Sequence, residues 1–238
     1  MSETCLVEIL GLMAYKEAWQ LQERLSTEIA EGKRPATLLL LEHPHTYTFG
    51  RRGHAENLLW DAAELRRRGV SVHWVDRGGD VTYHGPGQLV GYPLLKLSPE
   101  GLTPGEGAAN LPKADYVGYL RKLEEVLILA LERFDVDARR IPGLTGVWTN
   151  ALGSEQPAKI AAIGVKVDAR GVTRHGFALN VNPDMSYWQG IIGCGLKDAQ
   201  ETSLAELCDP CPTVEQVTQE VIRGFGNVFG LQMVPVSS

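Results

Sequence analysis

Apolar positions follow two rhythms along this chain. Ala18, Leu21, Leu25 and Ile29 recur at spacings of three and four, the 3.6-residue repeat of an amphipathic helix, which predicts a helix over 14–31 with Gly32 as its stop. The same spacing in Leu120, Leu123, Leu127, Ala130 and Phe134 predicts a long helix. Val214, Val217, Val221, Phe225 and Val228 predict a final one, opened by Thr213 and Gln216. Asp61 with Glu64 three residues later reads as a capping box for a short helix ending at Gly69.

The second rhythm is that of strands. The run 37–41 is apolar and of strand length. Val70, Val72 and Trp74 alternate with their neighbours, and 89–95 forms another strand in which Pro93 implies an edge position or a strand end. Strands are also expected over 147–149, 160–167 and 172–181, with Asp168-Ala169-Arg170-Gly171 as a hairpin turn. Helices scattered among strand clusters, without regular β-α-β alternation, predict an α+β fold: a mixed sheet flanked by helices. The stretch 98–113, with Pro99, Pro104, Pro112, Gly101, Gly105 and Gly107, reads as an exposed loop. Either flank alone would have a small core, so 1–238 is taken as a single domain.

Composition narrows the classes. The chain has 238 residues, 44% of them hydrophobic, enough for a core without disulfide or metal staples. The net charge of −6 argues against a general nucleic-acid binder. Apolar runs fall short of the ~18 residues that span a bilayer. Residues 1–15 hold Glu3 and Glu8 and no basic cluster, so neither membrane nor leader is expected. Four irregularly spaced cysteines do not make a disulfide framework, and a soluble cytoplasmic protein with reduced thiols is the expectation.

Three segments could carry chemistry. Arg77-Gly78-Gly79-Asp80-Val81-Thr82-Tyr83-His84-Gly85-Pro86-Gly87-Gln88 is the densest in polar groups. Glycines let backbone approach a ligand, Arg77 could bind an anion, and His84 could relay a proton; equally, the segment could be a glycine-rich turn with satisfied side chains. Ile191-Ile192-Gly193-Cys194-Gly195-Leu196 sets a thiol between glycines, either as a nucleophile presented to a cavity or as an inert buried thiol. Lys159 opens an apolar run with no further charge until Lys166. It could point inward beside the thiol or snorkel at a strand end. Cys208-Asp209-Pro210-Cys211 lacks the second ligand pair of a structural zinc site, and His43 and His45 cannot face one metal from a regular strand. The Arg66–Arg68 and Arg139-Arg140 clusters read as solvated faces that could dock an acidic protein.

Together these segments resemble one family, the lipoyl(octanoyl) transferases, which move octanoyl groups from acyl carrier protein to protein lysines. The likeness runs through Leu40-Leu41-Glu42-His43-Pro44, Tyr47-Thr48-Phe49-Gly50-Arg51-Arg52-Gly53-His54 and Glu56-Asn57-Leu58-Leu59. It continues across Arg77 to Tyr92, Gly146-Val147-Trp148, the Lys159 segment, His175-Gly176-Phe177-Ala178-Leu179-Asn180-Val181-Asn182 and the Cys194 segment. The resemblance implies the fold of biotin and lipoate protein ligases and a catalytic dyad of Cys194 and Lys159. It also implies an acyl-binding surface on Arg77, Gly78, Gly79, Asp80, Val81, Thr82, Tyr83 and His84, on Ala162, Ile163 and Gly164, and on Gly176, Phe177 and Ala178. Phe177 stands where the family often has Leu.

The activity that the resemblance implies is that of an acyltransferase of lipoate biosynthesis with neither metal nor cofactor. Its donor is octanoyl-acyl carrier protein. Its acceptors are lipoyl domains of 2-oxo acid dehydrogenase complexes or the glycine cleavage H protein, and monomer is the default state. An ATP-dependent lipoate–protein ligase is the nearest rival. A catalytically silent carrier-binding protein is a more distant one.

Overall fold

A computed structural model describes residues 3–97, 116–193 and 200–236. In chain order the elements are β1 (Thr4–Leu12), α1 (Tyr15–Ala30), β2 (Ala36–Glu42), β3 (Thr46–Phe49), α2 (Ala62–Arg67), β4 (Ser71–Trp74), β5 (Val81–His84) and β6 (Gln88–Leu94). Beyond these come α3 (Tyr116–Glu132), β7 (Val147–Asn150), β8 (Pro157–Val167), β9 (Thr173–Asn180), β10 (Gln200–Glu201), α4 (Leu204–Leu207), α5 (Val214–Phe229) and β11 (Gln232–Pro235). The main sheet is mixed, ordered β10-β8-β9-β6-β2-β1-β11, with β7 on β8; a smaller sheet runs β4-β3-β5.

The apolar run in β2 shows how the layers form. Alternate side chains leave opposite faces of a strand, and here both faces are covered. Leu38 and Leu40 join Leu123, Val126, Leu127, Val221 and Phe225 in the core under α3 and α5. Leu39 and Leu41 join Ala18, Leu25 and Ile29 under α1. α5 begins with a capping box between Thr213 and Gln216 and ends at Gly230 in the left-handed region. Removing the fully buried Phe225 ring would cost about 3–5 kcal/mol.

One local expectation changes, and another resolves to its second alternative. Asp61 does cap α2, accepting from the amides of Ala63 and Glu64, but Glu64 turns outward to Arg67 and Arg68 instead of completing a capping box. Pro93 is not on an edge strand, because β6 lies between β2 and β9. Its β9 pairing ends at Gly91, so the missing N–H of Pro93 falls where that ladder has stopped, near the strand end. The 168–171 turn forms as expected, closed by Gly171 N–H donating to Asp168 O at 3.0 Å. The 98–113 segment lies outside the described residues. No helix among the described residues is long and apolar enough to cross a membrane.

Candidate active site

β8 runs along one wall of a cavity of about 680 Å³, and Lys159, Ala162, Ile163 and Gly164 face into it. Gly78, Gly79 and Asp80, in the connection from β4 to β5, line it as well, with Gly78 N–H donating to Val165 O of β8 at 2.9 Å. A narrower cavity adjoins it through Gly79, Asp80, Ala162, Ile163 and Gly164, and continues past Arg77, Val81, Thr82, His84, Gly176, Phe177 and Ala178. Of the residues expected from sequence, Tyr83 alone among the described ones lines neither cavity. On β5 it alternates with Thr82 and His84 and points to the other face, stacked on Tyr187 and bonded to His45 Nδ1 at 2.9 Å. Cys194 lies outside the described residues; Gly193, just before it, is described.

Lys159 is almost entirely removed from water. Its Nζ sits 4.7 Å from the centre of the Trp148 ring and 3.8 Å from Glu201 Oε1. A cation over an indole face is stabilised by the ring quadrupole, and a nearby carboxylate adds Coulomb attraction. Burial pushes the Glu201 carboxyl up to about 7, against the Lys159 ammonium, which lowers it. Sequence reading missed Glu201, because a two-residue strand carries no periodicity.

The Arg77 guanidinium is turned into the protein. It donates to Thr48 O at 2.5 Å, Thr48 Oγ1 at 2.9 Å and Gly78 O at 2.8 Å, and so braces the loop. Asp80 likewise pins backbone, accepting from the amides of Val81 at 2.7 Å and His54 at 3.2 Å. Thr82 Oγ1, on the narrower cavity, is buried without a hydrogen-bond partner.

A network of histidines and tyrosines borders the narrower cavity. Burial drives the His84 imidazole well below its usual range, and holds the His43 imidazole down to about 4. His43 Nδ1 donates to Met13 O at 2.7 Å, which leaves Nε2 to accept from Tyr92 OH at 2.7 Å. His84 Nδ1 meets Gln88 Oε1 at 2.9 Å, while Gln88 Nε2 donates to Tyr83 O and Asn180 Oδ1. Tyr15, Tyr92 and His175 also line this cavity and were not expected from sequence.

Glycines set the floor. A Cβ on Gly176 would stand 2.1 Å from Gly91 O, so a side chain there is excluded by backbone. A Cβ on Gly91 would stand 2.1 Å from Phe177 Cζ, which places the Phe177 ring directly over the bare strand.

The secondary candidates resolve simply. Arg68 stacks on Trp60 at 4.3 Å and binds Glu64, while Arg140 binds Glu124 and Glu125, so both basic clusters are partly neutralised. His45 faces Tyr187 and Tyr83, away from His43. Cys208 and Cys211 are free thiols, and among the described residues no cluster of three or more His, Cys, Asp and Glu could hold a metal.

Comparison with known proteins adds three findings. The family model for the lipoyl protein ligase A/B catalytic domain matches residues 14–226. An octanoyltransferase of Chloroflexus aurantiacus is 44% identical over 229 residues, covering 96% of each chain. Among solved structures, the bi-partite lipoate protein ligase of Thermoplasma acidophilum superposes with a TM-score of 0.69 at 16% identity, covering 100% of this chain and 89% of its own. A lipoate-protein ligase A bound with ATP gives 0.67 at 14% identity, covering 100% and 90%. At such identities the structural likeness shows the fold alone.

Proposed function

This chain belongs to the lipoyl protein ligase A/B catalytic-domain family, on its octanoyltransferase branch, and from that premise we propose that it transfers octanoyl groups through a thioester on Cys194 beside Lys159. The donor is octanoyl-acyl carrier protein, and the acceptor is a lysine of a lipoyl domain. One observation carries the dyad reading. Lys159 is buried at the cavity wall next to Glu201, and a Cβ on Gly193, the residue covalently before Cys194, would stand 3.2 Å from Glu201 Oε1.

Atoms and protons balance across two half-reactions. The Cys194 thiolate, favoured by the Lys159 ammonium, attacks the donor carbonyl. A C–S bond forms to Cys194 and the C–S bond to pantetheine breaks, the leaving thiolate taking the Nζ proton. Neutral Lys159 then removes a proton from the acceptor ammonium, and the freed amine attacks the acyl-enzyme. A C–N bond forms as the C–S bond to Cys194 breaks. The second amine proton leaves with the sulfur and is lost to water as the thiolate reforms. Thioester exchange is nearly isoenergetic, and the amide product draws the sequence forward without ATP. The Ala162-Ile163-Gly164 and Gly176-Phe177-Ala178 segments, with Val81, Thr82 and His84, are positioned to flank the acyl chain, and the unpartnered Thr82 hydroxyl offers a donor there.

Intact-mass measurement tests this. Enzyme mixed with octanoyl-acyl carrier protein gains one octanoyl mass, and Cys194→Ala does not. An adduct retained by Cys194→Ala removes the thiol from its role, and transfer that needs ATP and free lipoate restores the ligase reading.

A further inference from the structure

The neighbourhood of Lys159 contains a carboxylate whose place is fixed by backbone. β10 runs parallel to β8 and sets Glu201 in register with Lys159, while Thr202 N–H donates to Lys159 O at 3.0 Å. The two side chains are 1% and 8% exposed, and their charged atoms are 3.8 Å apart. Glu201 Oε1 therefore lies close both to Nζ and to Gly193, the residue before Cys194. An ionised carboxylate this far from water is costly unless a cation compensates it, so each member of the pair depends on the protonation of the other.

We propose that Glu201 is a positioning residue for acyl transfer, holding the Lys159 ammonium at the cavity wall and sharing the proton that Lys159 delivers and recovers. This deepens the dyad reading of Lys159 and rests on it. When Nζ gives its proton to the leaving pantetheine thiolate, the neutral amine stays beside Glu201. When the acceptor ammonium returns a proton to Nζ, the ion pair reforms. The near-neutral titration of the buried Glu201 carboxyl suits such sharing.

Other groups surround the pair. From β7 the uncharged Trp148 ring faces Nζ. Arg52, His54, Glu56 and Asp80 line the same cavity, and Glu206 lies behind Thr202, accepting from its hydroxyl at 2.8 Å. From α3, Glu124 accepts the Gly146 amide at 3.2 Å, and a Cβ on Gly146 would lie 3.6 Å from the Lys159 stem. These groups set a background common to native enzyme and variants, so the test compares profiles rather than single rates.

The first measurement is the rate of octanoyl-enzyme formation from octanoyl-acyl carrier protein across pH, for native enzyme, Glu201→Gln and Glu201→Asp. Loss of the carboxylate makes the Nζ proton easier to lose, so the alkaline limb moves down by about one pH unit in Glu201→Gln and by less in Glu201→Asp. A limb that stays in place, or a rate lowered by one factor at every pH, overturns the proposal. The second measurement needs no acyl transfer. In protein labelled with ¹³C at glutamate carboxyls, the Glu201 signal, assigned by its loss in either variant, titrates near neutrality and shifts to higher pH in Lys159→Met. Titration at ordinary carboxylate pH overturns the proton sharing, and no shift in Lys159→Met overturns the pairing. Native enzyme that never gains octanoyl mass defeats the dyad reading instead, a failure the carboxyl titration tells apart.

Discussion

Asp76 and Glu201 face cations at opposite ends of β8. Asp76 accepts from His175 Nε2 at 2.8 Å and Arg174 Nη2 at 3.0 Å, and pairs with Lys166 as well. The His175 hydrogen bond, helped by Lys166 and Arg174 against the opposing burial, holds its carboxyl well below the usual range. Glu201 faces Lys159 at 3.8 Å, and burial dominates, raising its carboxyl. The same pairing of acid and base thus gives opposite outcomes. Several short donors fix a proton-free carboxylate that clamps β9 to the loop before Arg77, whereas burial with a longer contact leaves a proton to be shared. The first arrangement is scaffold, and the second is suited to chemistry.

Breaking the Glu201–Lys159 end should strike the reaction hardest. Lys159→Met lowers single-turnover transfer by about 10²–10⁴-fold, measured by rapid quench with folding checked by circular dichroism. A rate within tenfold of native would move the proton transfer to another group.

Breaking the crowded end should strike stability. Asp76→Asn removes the negative charge that Arg174, Lys166 and His175 share and turns one of its two acceptor oxygens into a donor, which costs about 1.5–3 kcal/mol in urea unfolding at constant m-value. Because the folded Asp76 carboxyl is depressed, its contribution is present above the unfolded carboxylate value of about 3.9 and is lost as pH falls toward the folded one. An unchanged urea midpoint would mean the cluster is not a clamp.

Glu201 supplies the opposite slope. Its folded carboxyl keeps a proton that the unfolded chain has lost between about pH 4.5 and about 7, so its contribution makes stability fall as pH rises through that window. Glu201→Gln removes that fall, which urea midpoints on either side of the window will show; parallel native and variant curves would contradict it. The smallest effect is expected on the far face of β5. There Tyr83→Phe deletes the hydrogen bond to His45 and costs about 0.5–1.5 kcal/mol by the same unfolding assay. A larger loss would mean that the Tyr83 hydroxyl does more than hold His45.

Legibility in the sequence tracked how local each feature is. α1, α5 and the β8–β9 hairpin come from periodicity, caps and one turn, all written within a few residues. β2 was visible as a run of leucines because both of its faces are buried. β1, β3, β5 and β11 were not anticipated: each is short or mixed in polarity, and takes its strand form from partners far along the chain. Lys159 was visible as a charge in an apolar run, but its counter-charge sits forty-two positions later on a strand of two residues. Tyr15, Tyr92 and His175 were hidden for a related reason, since their shared cavity exists only once α1, β6 and β9 meet. Tyr83 shows the converse. Membership of a contiguous motif said nothing about which way an alternating strand would aim it.

The Phe177 ring resting on Gly91 has a practical consequence. The space beneath it is gauged not by the aromatic residue itself but by a hydrogen atom on the adjacent strand. Exchanging that hydrogen for a methyl group would lift the ring and reshape the cavity from behind, so on the proposed reading of that cavity as the acyl site, tail-length preference has a handle that never touches the tail.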